Sequence, residues 1–185
     1  MLSLTRSLKT AVLALTLIAG GCDRQSAQQA QPGADSGAPG VIDRSHHGSL
    51  LPDLGFKDPA GKELRLTTLK GQPLLINLWA TWCAPCIAEL PTLDRLAATS
   101  GHTLQVIAVS QDLGEPAKIG AFVKDHGLAK LAVWLDPDNA LTNHYQAQSL
   151  PTTVLYDSAG REVWRATGPR DWAAADTAKL LAEAK

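Results

Sequence analysis

The sequence has only three cysteines in 185 residues. That is too few for a small fold stapled by disulfides and one short of an all-cysteine zinc site. It lacks an excess of either charge: 17 Lys and Arg face 18 Asp and Glu, for a net charge of −1. Such a balance excludes a nucleic-acid binder that depends on many phosphate contacts. It also lacks an uninterrupted apolar run of the about 20 residues that cross a bilayer, and it has no internal repeat. What remains is ordinary: 45% hydrophobic and 19% charged residues, as in a globular protein, at a length that suits one domain with additional sequence. The odd number of cysteines asks which one has no partner.

The start of the chain answers that question. Arg6 and Lys9 precede an uncharged, mostly apolar run from Ala11 to Gly21, too short to span a membrane and suited to the core of a cleaved export signal. Small residues, Ala19-Gly20-Gly21, stand directly before Cys22. They resemble the lipobox of bacterial lipoproteins, with Ala19 where that pattern usually has Leu; an ordinary signal with an incidental cysteine is the alternative. The resemblance implies a signal peptide over residues 1–21 and lipidation at Cys22, whose sulfur would then be a thioether with no redox role. Asp23 resembles an inner-membrane retention signal. From Gln25 to Gly48 the chain is rich in Gln, Ala, Gly, Ser and Pro. It has too little apolar surface to offset its ordering entropy, so residues 22–48 read as a flexible linker. His46-His47 at its end do not make a metal site.

Residues 49–185 read as one domain. Leu74–Trp79 suits a strand buried on both faces, followed by a helix from about Cys83 to Ala98. A second strand spans Thr103–Ser110, a helix Pro116–His126 with Gly127 at its end, and a third strand Leu131–Leu135. A short helix covers Asp138–Tyr145. Strands Thr153–Tyr156 and Glu162–Thr167 are joined by a turn at Asp157–Gly160, and Asp171 is placed to cap a last helix ending near Ala184. Alternating strands and helices, closed by a hairpin and a helix, imply an α/β fold: a mixed sheet flanked by helices on both faces.

The chemistry lies in Trp82-Cys83-Ala84-Pro85-Cys86. Cysteines three apart on a helical turn are spaced for a disulfide. The first sits at the helix N-terminus, where unpaired N–H groups and the positive dipole end stabilise a thiolate. Pro85 fits the first turn, where its missing N–H costs little. A zinc site would need a second ligand pair, which the sequence does not supply. A purely structural disulfide would close a tiny loop and constrain little. Further on, Leu150-Pro151-Thr152-Thr153 precedes a strand, where a proline can be an ordinary edge or turn residue.

Gly71-Gln72-Pro73-Leu74-Leu75-Ile76-Asn77-Leu78-Trp79-Ala80-Thr81-Trp82-Cys83-Ala84-Pro85-Cys86, with Glu89-Leu90-Pro91 after it, resembles the TlpA/ResA/DsbE branch of thioredoxin-like proteins, membrane-anchored thiol–disulfide oxidoreductases outside the bacterial cytoplasm. The resemblance implies a thioredoxin-like fold in which Glu115 to about Gln148 includes the element this branch inserts. It implies Cys83 as the exposed nucleophile, Cys86, one turn deeper, as resolving thiol and Pro151 as a cis-proline facing them. Trp82, Leu150 and Pro151 would meet the substrate. Thioredoxins carry a buried Asp where this chain has Asn77; the branch has a glutamate at the position of Glu89. A solvated carboxylate on a helix face and a partly buried group that exchanges protons with the thiols are both open readings of Glu89. Trp79 and Trp82 are expected to pack around the site, and Pro91 to bend its helix.

The resemblance further implies protein disulfide substrates, apocytochrome c among them, a membrane electron donor of the CcdA or DsbD type, and a lipid-anchored place on the periplasmic face of the inner membrane. No cofactor or metal is called for. The rivals are an oxidant or isomerase of the same fold, a peroxiredoxin and a thioredoxin-like metal chaperone. A peroxiredoxin expects Pro-x-x-x-Thr-x-x-Cys, but Ile76 and Ala80 stand at the Pro and Thr positions before Cys83. A copper chaperone uses a wider cysteine spacing and a distal histidine, for which His144 is the nearest candidate.

Overall fold

The computed structural model describes residues 40–184. In it, Leu74–Trp79 forms a strand with all six residues buried. Alternation sends Leu75 and Trp79 to one face of the sheet and Leu74, Ile76 and Leu78 to the other, and each face has its own apolar cluster. In chain order the elements are β1 (Val41–Asp43), β2 (Gly55–Lys57), β3 (Glu63–Arg65), β4 (Leu74–Trp79), α1 (Ala84–Ser100), β5 (Gln105–Ser110), α2 (Pro116–Asp125), β6 (Ala132–Leu135), α3 (Ala140–Tyr145), β7 (Thr152–Tyr156), β8 (Glu162–Thr167) and α4 (Ala175–Leu181). One eight-stranded sheet runs β1-β8-β7-β4-β5-β6-β2-β3. β4, β5 and β6 are parallel; the remaining pairs are antiparallel.

One core joins Leu75 and Trp79 of β4 to Leu90 and Leu93 of α1, Ile119 of α2 and Trp164 of β8. The opposite core joins Ile76, Leu78, Val109 and Val154 to Leu141 and Tyr145 of α3. The mixed sheet covered on both faces is therefore present. No helix among the described residues is long and apolar enough to cross a membrane.

Three expectations need correction. The linker expected to run to Gly48 gives way at Gly40: Val41, Ile42 and Asp43 pair with Thr167, Ala166 and Arg165 of β8, and Arg44 makes a salt bridge to Glu183. Backbone pairing with a sheet edge orders a segment that its composition would leave loose. The signal peptide, the lipidation at Cys22 and the rest of the linker lie outside the described residues. β2 and β3 were not anticipated; at three residues each they are too short for a periodic signal. Asp171 does not cap α4, whose N-cap is Ala174. Its carboxylate instead accepts from the Ala173 N–H at 2.9 Å.

Candidate active site

The parallel strands β4 and β5 end side by side, with Trp79 opposite Ser110. On the other side of β4, Leu78 faces Thr152 of β7, so Pro151 lies beside the end of β4. Three loops thus meet at one edge of the sheet: residues 80–83, 111–113 and 149–151. Ligand sites of open α/β sheets form at this kind of edge.

Cys83 is the N-cap of α1, and its sulfur accepts from the Cys86 N–H at 3.3 Å. The two cysteines form a disulfide with Cα atoms 5.3 Å apart. Both are buried, Cys83 at 6% exposure and Cys86 at 0%: Cys83 is not the exposed residue expected, because the start of α1 packs into the core, but it is the less enclosed of the two. The turn that carries Cys83 is closed by its N–H donating to the Ala80 carbonyl at 3.1 Å. Asp112 fastens the same turn from the end of β5: it accepts the Thr81 N–H at 3.0 Å and the Thr81 hydroxyl at 2.6 Å. The Ser110 hydroxyl donates to the same carboxylate at 2.7 Å.

The Leu150–Pro151 bond is cis. Pro151 is buried and Leu150 half-buried. The Pro151 carbonyl accepts from Gly168 N–H at 2.9 Å, which ties this loop to the end of β8. Trp79 is fully buried and packs at 5.4 Å on Phe122 of α2. Trp82 departs from the expectation that it packs: it is 71% exposed, next to Cys83, and Leu113 beyond Asp112 is 78% exposed. Apart from Asp112, which is occupied by Thr81 and Ser110, residues 80–86, 111–114 and 146–152 carry no charged side chain.

Glu89 is not a solvated carboxylate. It lies three residues after Cys86 on the same face of α1, with 4% exposure. Oε1 accepts from Asn77 Nδ2 at 2.7 Å, and Oε2 from the Arg170 N–H at 2.9 Å and Trp172 Nε1 at 3.3 Å. Asn77 Nδ2 also donates to Thr153 Oγ1 at 2.9 Å. Burial pushes the carboxyl up to about 7, against the pull of these donors and of the Arg170 charge. Desolvation wins because a lone buried carboxylate loses more hydration than three N–H donors return. Pro91, two residues on, lies inside a helix that runs unbroken to Ser100.

The sequence gives no local sign of Arg170 and Trp172 as partners of Glu89, since these contacts close across about 80 residues of chain. Asp112 had a weak sign: a polar residue two positions after the buried strand, at the edge where the cysteine turn leaves. His144, on α3, stands edge-on to Tyr145 with ring centroids 5.2 Å apart. Burial lowers its pKa below the ordinary value.

A dithiol–disulfide pair at a helix N-terminus, a proline-bearing loop beside it and a buried carboxyl behind it define the class of the domain. The chain belongs to the AhpC/TSA family, whose model matches residues 47–163. It is similar to the thiol-disulfide oxidoreductase ResA of Geobacillus thermodenitrificans, 34% identical over 116 residues, which are 62% of this chain and 65% of that protein. It is also similar to the thioredoxin-like protein YneN of Bacillus subtilis, 31% identical over 61% of this chain and 66% of that protein. The aligned stretch thus spans just under two thirds of the length of these two relatives. Among solved structures it is similar to a thiol:disulfide interchange protein DsbE from Chlorobium tepidum, with TM-score 0.67 and 25% identity, covering 75% of this chain and 98% of that one. The exposed lipoprotein thioredoxin of Streptococcus pneumoniae aligns with TM-score 0.64 and 29% identity, over 71% of this chain and 99% of that one. The fold is thioredoxin-like.

Proposed function

We propose that the chain is a thiol–disulfide oxidoreductase that acts mainly as a reductant of protein disulfides. The carrying observation is the asymmetry of the pair: Cys83 caps the helix at the meeting of three loops, while Cys86 is fully enclosed. The Cys83 thiolate attacks one sulfur of a substrate disulfide. That S–S bond breaks, its second sulfur leaves as a thiolate and takes a proton, and a mixed disulfide remains. Cys86 then loses its proton and attacks Cys83 Sγ, which releases the second substrate thiol and leaves the enzyme oxidised. Two electrons pass from the dithiol to the substrate.

Cys86 has no exposed surface, so its proton needs an acceptor inside the protein. Glu89, one turn deeper and with its pKa raised to about 7, is suited to take and return it. Trp82, Leu150, Pro151 and the uncharged loops around them form the substrate face, which suits an extended segment with apolar neighbours to its cysteine.

The finer reading rests on the resemblance. Lipidation at Cys22 after removal of residues 1–21 would hold the enzyme on the periplasmic face of the inner membrane. A linker up to Gly40 would keep it near a membrane electron donor of the CcdA or DsbD type and raise their effective concentration. Apocytochrome c is one candidate substrate. The test is the pH profile of Cys83 alkylation in the reduced protein. Glu89→Gln removes a carboxylate that opposes a second negative charge, and the profile shifts to lower pH. An unchanged profile would reduce Glu89 to packing.

A further inference from the structure

We infer that Gly40 and Arg170 are positioning residues for the Glu89 carboxyl, so that the residue before β1 is fastened to the segment that holds the buried acid of the redox centre. This rests on the reading of Glu89 as the proton-exchanging group.

Gly40 grips the segment after β8 at two points. Its N–H donates to the Pro169 carbonyl at 2.9 Å, and its carbonyl accepts from Arg170 Nη2 at 3.0 Å. The fit allows only glycine. A Cβ on residue 40 would stand 2.6 Å from the Gly168 carbonyl oxygen and 2.9 Å from that of Thr167. Both are backbone atoms, so no rotamer change relieves the clash, and either β1 or the 167–170 segment must move. Gly168 itself has φ +97°, a conformation that side chains disfavour, so the turn is fixed in shape.

Arg170 connects this clasp to the acid. Its backbone N–H donates to Glu89 Oε2 at 2.9 Å. Its guanidinium, in a residue 8% exposed, is paired with Asp176 at 3.0 Å and the Gly40 carbonyl, while Nε has no partner among the described residues. A buried cation with an incomplete set of partners depends on each one it has. The loss of the Gly40 carbonyl therefore frees the side chain and the backbone that carries it. The groups facing the carboxyl are neutral on the sheet side, Asn77 of β4 with Thr153 of β7 behind it. Cys83 and Cys86 lie one to two turns back on its own helix, Trp172 donates from the loop, and Arg170 supplies the positive charge. Asp176 of α4 is engaged by Arg170.

If the clasp opens, Glu89 loses a donor and part of a charge, and its carboxyl stays protonated to higher pH. The variants then come to resemble Glu89→Gln. The test compares Cys83 alkylation against pH in the reduced full-length chain for wild type, Glu89→Gln, Gly40→Ala and Arg170→Met. The expected result places the Gly40→Ala and Arg170→Met midpoints between wild type and Glu89→Gln, displaced from wild type by about half to one pH unit, the size of one net hydrogen bond. Midpoints that coincide with wild type while Glu89→Gln is displaced overturn the positioning role and leave Glu89 in place. A Glu89→Gln profile equal to wild type overturns both. A clasp that is only structural would lower the urea midpoint without moving the profile, and that result also counts against the inference. If Gly40→Ala does not fold, Arg170→Met decides, since it keeps the glycine and the Gly40 N–H bond to Pro169 while it removes the guanidinium bond to the Gly40 carbonyl.

Discussion

Asn77 Nδ2 sits 2.7 Å from Glu89 Oε1 and joins β4 to α1 through a neutral amide, while its own Oδ1 is buried without a partner among the described residues. A titrating acid and a neutral amide thus share the space behind the cysteines. The amide supports the carboxylate without adding a charge of its own.

The raised pKa of Glu89 has a stability cost with a definite sign. Between about 4.5, the ordinary value, and about 7 in the folded chain, the native state binds more protons than the unfolded state. Stability therefore falls as pH rises through that window and is level above it. Glu89→Gln has no such group, so it gains on wild type across the same window. The gain is on the order of 3 kcal/mol above pH 7. Urea unfolding of both oxidised proteins at pH 5 and pH 8 measures it, and a constant difference between the two pH values would contradict the burial cost.

Asn77→Asp places a second carboxyl within hydrogen-bond reach of the first. The two titrate as a coupled pair, and the second ionisation is pushed upward. The variant is expected to match wild type most closely at pH 5 and to lose stability steeply toward pH 8. Thermal unfolding at several pH values checks this; a pH dependence equal to that of wild type would mean that the two groups do not meet.

The exposure difference between the cysteines predicts different phenotypes. Cys83→Ser is expected to abolish disulfide reduction. Cys86→Ser leaves a nucleophile that no thiol resolves, so mixed disulfides with substrate proteins accumulate at residue 83. Non-reducing electrophoresis with mass identification of the adducts tests this; turnover by Cys86→Ser at the wild-type rate would remove Cys86 from the mechanism.

Asp112 accepts three hydrogen bonds at the turn before Cys83. Asp112→Ala leaves those donors unpaired and costs about 1–3 kcal/mol. The larger effect is expected in the reduced protein, where no disulfide ties Cys83 to Cys86 and the turn depends more on Thr81. Alkylation rates and urea midpoints, measured in both redox states, separate the two effects. Equal losses in both states would show that Asp112 does not support the turn.

The sequence made the central elements legible because their signals are local. β4 is an unbroken apolar run, the helix start is marked by Cys83 and Pro85, and Asp157–Gly160 is a turn whose Gly160 has φ +75°. The spacing of Cys83 and Cys86 at a helix start is a redox signature in itself, whereas Leu150-Pro151 could be given a role only by resemblance; the sheet register then brought the two loops to one edge. The parts that were missed are long-range. β1 exists because β8 offers an edge for it, and its own composition reads as linker. Burial of Glu89 depends on Arg170 and Trp172, which arrive from beyond β8. Trp82 was expected to pack, but an exposed tryptophan and a buried one look alike in sequence, and β4 ends before it.

If the Cys83–Cys86 pair donates electrons, its reduction potential is low. Measured on the full chain equilibrated against dithiothreitol and glutathione buffers, it is expected below about −220 mV, toward that of thioredoxin near −270 mV. A value near −120 mV, that of the strong oxidant DsbA, would contradict this and reverse the direction of electron flow.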